Sequence, residues 1–122
     1  MKIIEAINQL DSLKHNTYTQ GDKVRWLSRV DQMVKNHIID THEGEEITFT
    51  GYDDTTDTNT ELLIPAPYDE VYLRWMEAQI DYHNGEYDKY NNAIDMFNTA
   101  FNSYQNYYNR THMPKAKSFK YF

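Results

Sequence analysis

Tyr87-Asp88-Lys89-Tyr90-Asn91-Asn92-Ala93-Ile94-Asp95-Met96-Phe97-Asn98-Thr99-Ala100-Phe101-Asn102-Ser103-Tyr104-Gln105-Asn106-Tyr107-Tyr108 carries a large apolar residue at 87, 90, 94, 97, 101, 104 and 108. Those steps alternate between three and four, which is a helical seam of heptad type. The residues between them are mostly Asn, Asp, Thr, Ser and Gln, all indifferent helix formers. A helix of this composition is held by packing of its stripe rather than by propensity. Arg110 and His112 suit the negative end of the helix dipole, and Pro114 prevents continuation. The spacing therefore predicts a long terminal helix whose seam is core.

Moving towards the N-terminus, Asn84-Gly85 marks a tight reversal, and a third helix is expected from Asp69, with Asp69 capping and Glu70 in the first turn. Leu73, Met76 and Ile80 make one line along it, and Tyr72, Trp75 and Tyr82 another. Pro65-Ala66-Pro67 is a stiff extended connector before it. Ile3, Ile7, Leu10 and Leu13 predict a first helix over 2–14. Thr19 or Asp22 can cap a second, with core positions Val24, Leu27, Val30, Val34 and Ile38 and with Trp26, Met33 and His37 beside them.

Between the second and third helices the period changes. Glu46-Ile47-Thr48-Phe49-Thr50 alternates at period two, and Glu61-Leu62-Leu63-Ile64 is a short apolar run. The turn-forming segment Asp53–Asn59 separates them, so residues 41–67 read as a β-hairpin insertion with an exposed tip. The expected fold is mainly α: a four-helix domain over 1–114 with a long fourth helix, this hairpin, and an extended basic and aromatic tail over 115–122.

At 122 residues the chain suits one domain. Eleven of its residues are Tyr, whose apolar ring and polar tip favour half-buried surfaces and interfaces. It has no Cys, so neither a disulfide nor a thiolate site can form. The start Met1-Lys2-Ile3-Ile4-Glu5 lacks the apolar run of a signal peptide, and no segment approaches the roughly 20 apolar residues that span a bilayer. The expectation is a soluble protein that stays in the cell that makes it.

The net charge of −7 is unevenly spread. Asp40, Glu43, Glu45, Glu46, Asp53, Asp54, Asp57 and Glu61 fall in a span without Lys or Arg, whereas the tail holds Lys115, Lys117 and Lys120 and no acid. An acidic body argues against broad nucleic-acid binding. Opposite charges at two places suit head-to-tail contacts between copies.

The carboxylates do not assemble into a recognised chemistry. The only Glu-x-x-Glu pair, Glu43/Glu46, lies in a loop containing Gly44 rather than on a helix. Glu-x-x-His pairs of di-iron bundles are absent, and His42-Glu43 lacks the second His of a zincin motif. The Asp53–Asp57 loop lacks the Gly and terminal Glu of an EF-hand. Gly21, Gly44, Gly51 and Gly85 are scattered singly, which excludes a Gly-rich phosphate loop. No nucleophile stands with a base. The sequence reads as a non-enzyme without cofactor or metal.

Several blocks resemble a known family. They are Thr17-Tyr18-Thr19-Gln20 with Lys23-Val24-Arg25-Trp26-Leu27, Ile39-Asp40-Thr41-His42-Glu43-Gly44, and Leu63-Ile64-Pro65-Ala66-Pro67-Tyr68-Asp69-Glu70. Tyr72-Leu73-Arg74-Trp75, Ala78-Gln79-Ile80-Asp81-Tyr82 and Tyr107-Tyr108-Asn109-Arg110-Thr111-His112-Met113-Pro114 continue the pattern. Together they resemble the head–tail connector (adaptor, head-completion) proteins of phages and prophages of Gram-positive bacteria. The resemblance implies a structural subunit that forms a homo-oligomeric ring below the portal and joins it to the tail or next connector. Its partners would be copies of itself, the portal and tail-side connector proteins, with DNA only as passing cargo and no membrane. It would be made in the bacterial cytoplasm and reside in the virion neck. The alternative is a small phage-encoded regulatory module that binds a host factor. The expected contact residues are Phe49, Tyr52, Asp53, Asp54 and Asp57 of the hairpin and Lys115, Lys117, Phe119, Lys120, Tyr121 and Phe122 of the tail.

Overall fold

A computed structural model describes residues 1–44 and 47–113. Its helices are α1 (Ile3–Leu13), α2 (Gln20–His37), α3 (Glu70–His83) and α4 (Tyr87–Thr111), with a single 3-10 turn at Ile39–Thr41 after α2. The mainly α, four-helix expectation agrees with this order.

α1 buries Ile3, Ala6, Ile7 and Leu10, one face at helical spacing. α2 begins in a capping box: the Asp22 N–H donates to Thr19 Oγ1 at 3.1 Å, and the Thr19 N–H donates to Asp22 Oδ2 at 3.4 Å. Val24, Leu27, Val30, Val34 and Ile38 are buried as their spacing requires, and Trp26 joins them. Each such burial contributes about 1.5–3 kcal/mol. Lys23 on the same helix is buried and pairs with Asp11 of α1 at 2.6 Å, which holds the Asp11 carboxyl below its ordinary range. Lys14 Nζ lies 2.5 Å from Oδ1 of Asp81, an acid 2% exposed, and so ties the end of α1 to α3.

α3 has two working faces. Tyr72, Met76 and Ile80 enter the core with α1 and α2. Tyr68, just before α3, and Trp75 and Tyr82 on it, each seven residues apart, meet α4 in antiparallel order. Tyr68 touches Tyr104 and Tyr107, Trp75 touches Phe97, and Tyr82 touches Tyr90 and Tyr87. Gly85 makes the reversal with φ +74°, a left-handed conformation that favours glycine.

α4 packs on α3 and on no other described helix. Its C-terminal end is tied to the segment after α2, where the Glu43 N–H donates to the Met113 carbonyl at 2.7 Å and His42 Nε2 lies 2.7 Å from Asn109 Oδ1. Because one neighbour covers only a strip, the heptad seam is buried at Phe97 and Tyr104, half-buried at Tyr90, Ile94, Phe101 and Tyr108, and 62% exposed at Tyr87. The expectation of a seam that is core throughout thus fails at its N-terminal end.

The expected β-hairpin over 41–67 is absent: no strand exists among the described residues, and the two apolar runs do not pair with each other. The backbone groups of the second run find partners elsewhere. Leu62 N–H donates to the Met1 carbonyl, and Glu61 bridges to Lys2. Leu63 N–H donates to Asp31 Oδ2 at 3.2 Å and Ile64 N–H to the Tyr72 hydroxyl at 2.8 Å. The intervening segment closes locally on itself, with Asp53 Oδ1 accepting from the Thr55 N–H and Asp57 Oδ1 from the Asn59 N–H, two Asx turns. An isolated hairpin is marginal in water, and here helix side chains supply better partners than a second strand. The expected Asp69 cap is also corrected: Asp69 precedes α3 but its side chain makes no capping hydrogen bond.

Candidate functional site

The most built polar feature is internal. Asp31 on α2 is 0% exposed, and its carboxylate accepts three hydrogen bonds. Tyr72 Oη donates to Oδ1 at 2.5 Å, Tyr52 Oη to Oδ2 at 2.5 Å, and the Leu63 N–H to Oδ2 at 3.2 Å. The Tyr72 hydroxyl in turn accepts from Ile64. Burial raises the Asp31 carboxyl above its ordinary value despite these donors, and it pushes the Tyr52 and Tyr72 hydroxyls upward, with the Asp31 charge adding to the effect. Among the described residues no cation joins the cluster, and Asp31 is fully buried. The network clamps the 52–64 segment onto α2 and α3, which is a structural task.

The sequence carries a signal for this feature that the motif patterns above do not use. Residues 24, 27, 31, 34 and 38 step by three and four, so Asp31 occupies the apolar stripe of α2 itself. An acid in a stripe position demands donors.

Of the residues expected to meet partners, the structure brings together Phe49 and Tyr52, half-buried and edge-to-face at 5.0 Å. Tyr52 commits its hydroxyl to Asp31 and its backbone N–H to Ser28 Oγ at 3.0 Å. Asp53, Asp54 and Asp57 are exposed. Hydrogen bonds from Thr55 hold the Asp53 carboxyl below its ordinary value. Asp54 lies over the start of α2, 4.0 Å from Arg25, and an added Cβ at Gly21 would stand 2.7 Å from Asp54 Oδ1. Lys115, Lys117, Phe119, Lys120, Tyr121 and Phe122 lie outside the described residues.

Two further surfaces come from packing that sequence spacing could not resolve. An open groove of about 450 Å³ runs between the start of α3 and the middle of α4, with Tyr68, Arg74, Met96 and Ala100 among its walls. Arg74 there is already paired with Glu70 at 2.6 Å. At the other end of the α3–α4 pair, next to the Gly85 reversal, His83 stacks on Trp26 at 6.0 Å, and Tyr82 and Tyr87 stand 51% and 62% exposed. The Tyr18 hydroxyl donates to Asn84 Oδ1 at 2.6 Å and fixes this end.

Among the described residues no group of three or more His, Cys, Asp or Glu side chains could hold a metal ion, and no helix is long and apolar enough to cross a membrane. No protein-family model, curated protein or solved structure matches the chain.

Proposed function

We propose that this chain is a structural assembly protein, a head–tail connector subunit that forms a ring below a phage portal and joins it to the next component. The observation that carries the reading is the α3–α4 hairpin. Two of the blocks that resemble connector proteins, around Tyr68 and around Tyr107-Tyr108, lie far apart in sequence yet stack ring on ring at 4.9 Å. They form one aromatic unit whose remaining α4 surface no described helix covers. An uncovered helix surface beside these stacked tyrosines fits a protein that completes its packing on neighbours. The exposed carboxylates Asp53, Asp54 and Asp57 lie on a different part of the molecule and offer a second contact of opposite character to the basic tail.

Light-scattering mass of the purified chain, alone and mixed with the portal protein of the same phage or prophage, tests the proposal. The expected result is a stable complex with portal, ring-shaped on the portal even if the free chain is small. A tight one-to-one complex with an unrelated host protein, with none to portal, would instead favour the regulatory module. Deleting residues 115–122 should leave the circular-dichroism spectrum and thermal midpoint unchanged while weakening assembly on portal. Global unfolding on deletion would show that Phe119, Tyr121 and Phe122 serve the core.

A further inference from the structure

We propose that Asn84-Gly85, the reversal between α3 and α4, is a site of spontaneous covalent modification. The chain's own backbone converts the Asn84 amide to a carboxylate, and the Tyr18 hydroxyl restrains the rate. This chemistry is independent of the connector reading.

Asn84 is the only Asn of the chain that is followed by Gly. A side chain on the following residue crowds the approach of that residue's nitrogen to the Asn amide, and glycine has none. Both residues are exposed, so water reaches them. The Gly85 nitrogen gives up its proton and bonds to Asn84 Cγ. The Cγ–Nδ2 bond breaks, and the amide nitrogen leaves as ammonia, taking up that proton. Water then opens the cyclic imide. Opening at Cγ leaves Asp at 84, whereas opening at the backbone carbonyl leaves isoaspartate, with the chain running through the side chain.

The fold holds this reaction back through two hydrogen bonds. Asn84 has ψ −5°, which turns the Gly85 nitrogen towards the Asn84 nitrogen and away from its side chain. The Gly85 N–H donates to the Tyr82 carbonyl at 3.1 Å, which keeps it there. The Tyr18 hydroxyl, from the segment between α1 and α2, donates to Asn84 Oδ1 at 2.6 Å and pins the amide itself. Tyr18 is in turn set edge-on against Trp26 at 5.4 Å. Ring closure therefore needs a local opening that breaks both bonds, and exposed helix ends open more easily than a core. The product matters because of its position. A carboxylate at 84 stands at the negative end of the α3 dipole, near Asp81 and Glu86 in sequence. Isoaspartate lengthens the backbone of the reversal that sets α4 on α3, its one neighbour among the described helices. Either product should loosen the α3–α4 pair.

Ageing the full chain in mildly alkaline buffer tests this, with each Asn followed by peptide mass spectrometry and isoaspartate read by enzymatic methyl transfer. In the folded chain Asn84 should convert before every other Asn, yet more slowly than in the same chain kept in denaturant. Tyr18→Phe keeps the ring against Trp26 but removes the donor. It should speed conversion of Asn84 about fivefold, the change that one net hydrogen bond corresponds to. Asn102, which precedes Ser103 within α4, is the internal standard and should keep its rate. An Asn84 that stays intact in the folded chain overturns the proposal, as does an unchanged rate in Tyr18→Phe. Equal rates in the folded and denatured chain overturn it as well. So does acceleration at Asn84 and Asn102 alike, because general loosening would then set the rate.

Discussion

Replacing Asp31 with alanine should lower the stability of the domain by about 3 kcal/mol, read as a fall in denaturant midpoint with an unchanged slope. The change strands the Leu63 N–H and the Tyr72 hydroxyl proton in the interior, and it frees the Tyr52 hydroxyl, which lies nearer solvent. Buried donors without acceptors cost about 1–3 kcal/mol each. The relief of no longer burying a carboxylate offsets part of that sum. The 52–64 segment should loosen first, because two of its hydrogen bonds to α2, from the Tyr52 hydroxyl and the Leu63 N–H, run through this side chain. An unchanged midpoint would mean that these donors have another acceptor.

The pH dependence has a definite sign. Burial, the largest influence on Asp31, keeps its carboxyl above the ordinary 3.8, with the hydrogen bonds from Tyr52, Tyr72 and Leu63 acting the other way. The folded protein therefore holds this proton to higher pH than the unfolded chain does. As pH rises from 3.8 towards the folded value, the unfolded state ionises first, and the contribution of Asp31 to stability falls. Asp31→Asn does not titrate and lacks that fall. The native protein should thus compare best with this variant in acid and progressively less well towards neutrality. Asp11, lowered by Lys23, acts in the opposite direction but is common to both proteins and cancels in the difference.

Phe97→Ala should cost about 3–5 kcal/mol, with a local signature. Phe97 is 5% exposed and sits against Trp75 at 4.9 Å and Phe101 at 5.6 Å, so truncation empties the middle of the α3–α4 contact. Since α4 rests on α3 and on no other described helix, amide hydrogen exchange should accelerate along α4 before it does in α1 and α2. Leu27→Ala, in the centre of the shared core, should instead raise exchange throughout. Equal protection losses in all four helices after Phe97→Ala would show that α4 unfolds only with the whole domain.

The helices were readable from local pattern. Ile3, Ile7 and Leu10, or Val24, Leu27, Val34 and Ile38, recur at intervals that only a helix turns to one side, and Thr19 with Asp22 forms a cap from groups three residues apart. The absence of a hairpin is not legible in the sequence because alternation and turn formers state what a segment could pair with, not what is offered to it. Leu63 and Ile64 had strand-like residues, but a carboxylate and a phenol from two helices took their backbone donors. The role of Asp31 is hidden for a related reason: an acid within an apolar stripe shows its purpose only when its donors, 21 to 41 residues away, are in place.

The sequence by itself determined the four helices, their apolar faces and the long aromatic seam from Tyr87 to Tyr108, because those depend on residues a few positions apart. The tertiary structure decided how much of that seam is covered. One neighbouring helix shields Phe97 and Tyr104 and leaves Tyr87 and the Asn-rich side in the open, since burial depends on which elements arrive and not on the spacing that invites them.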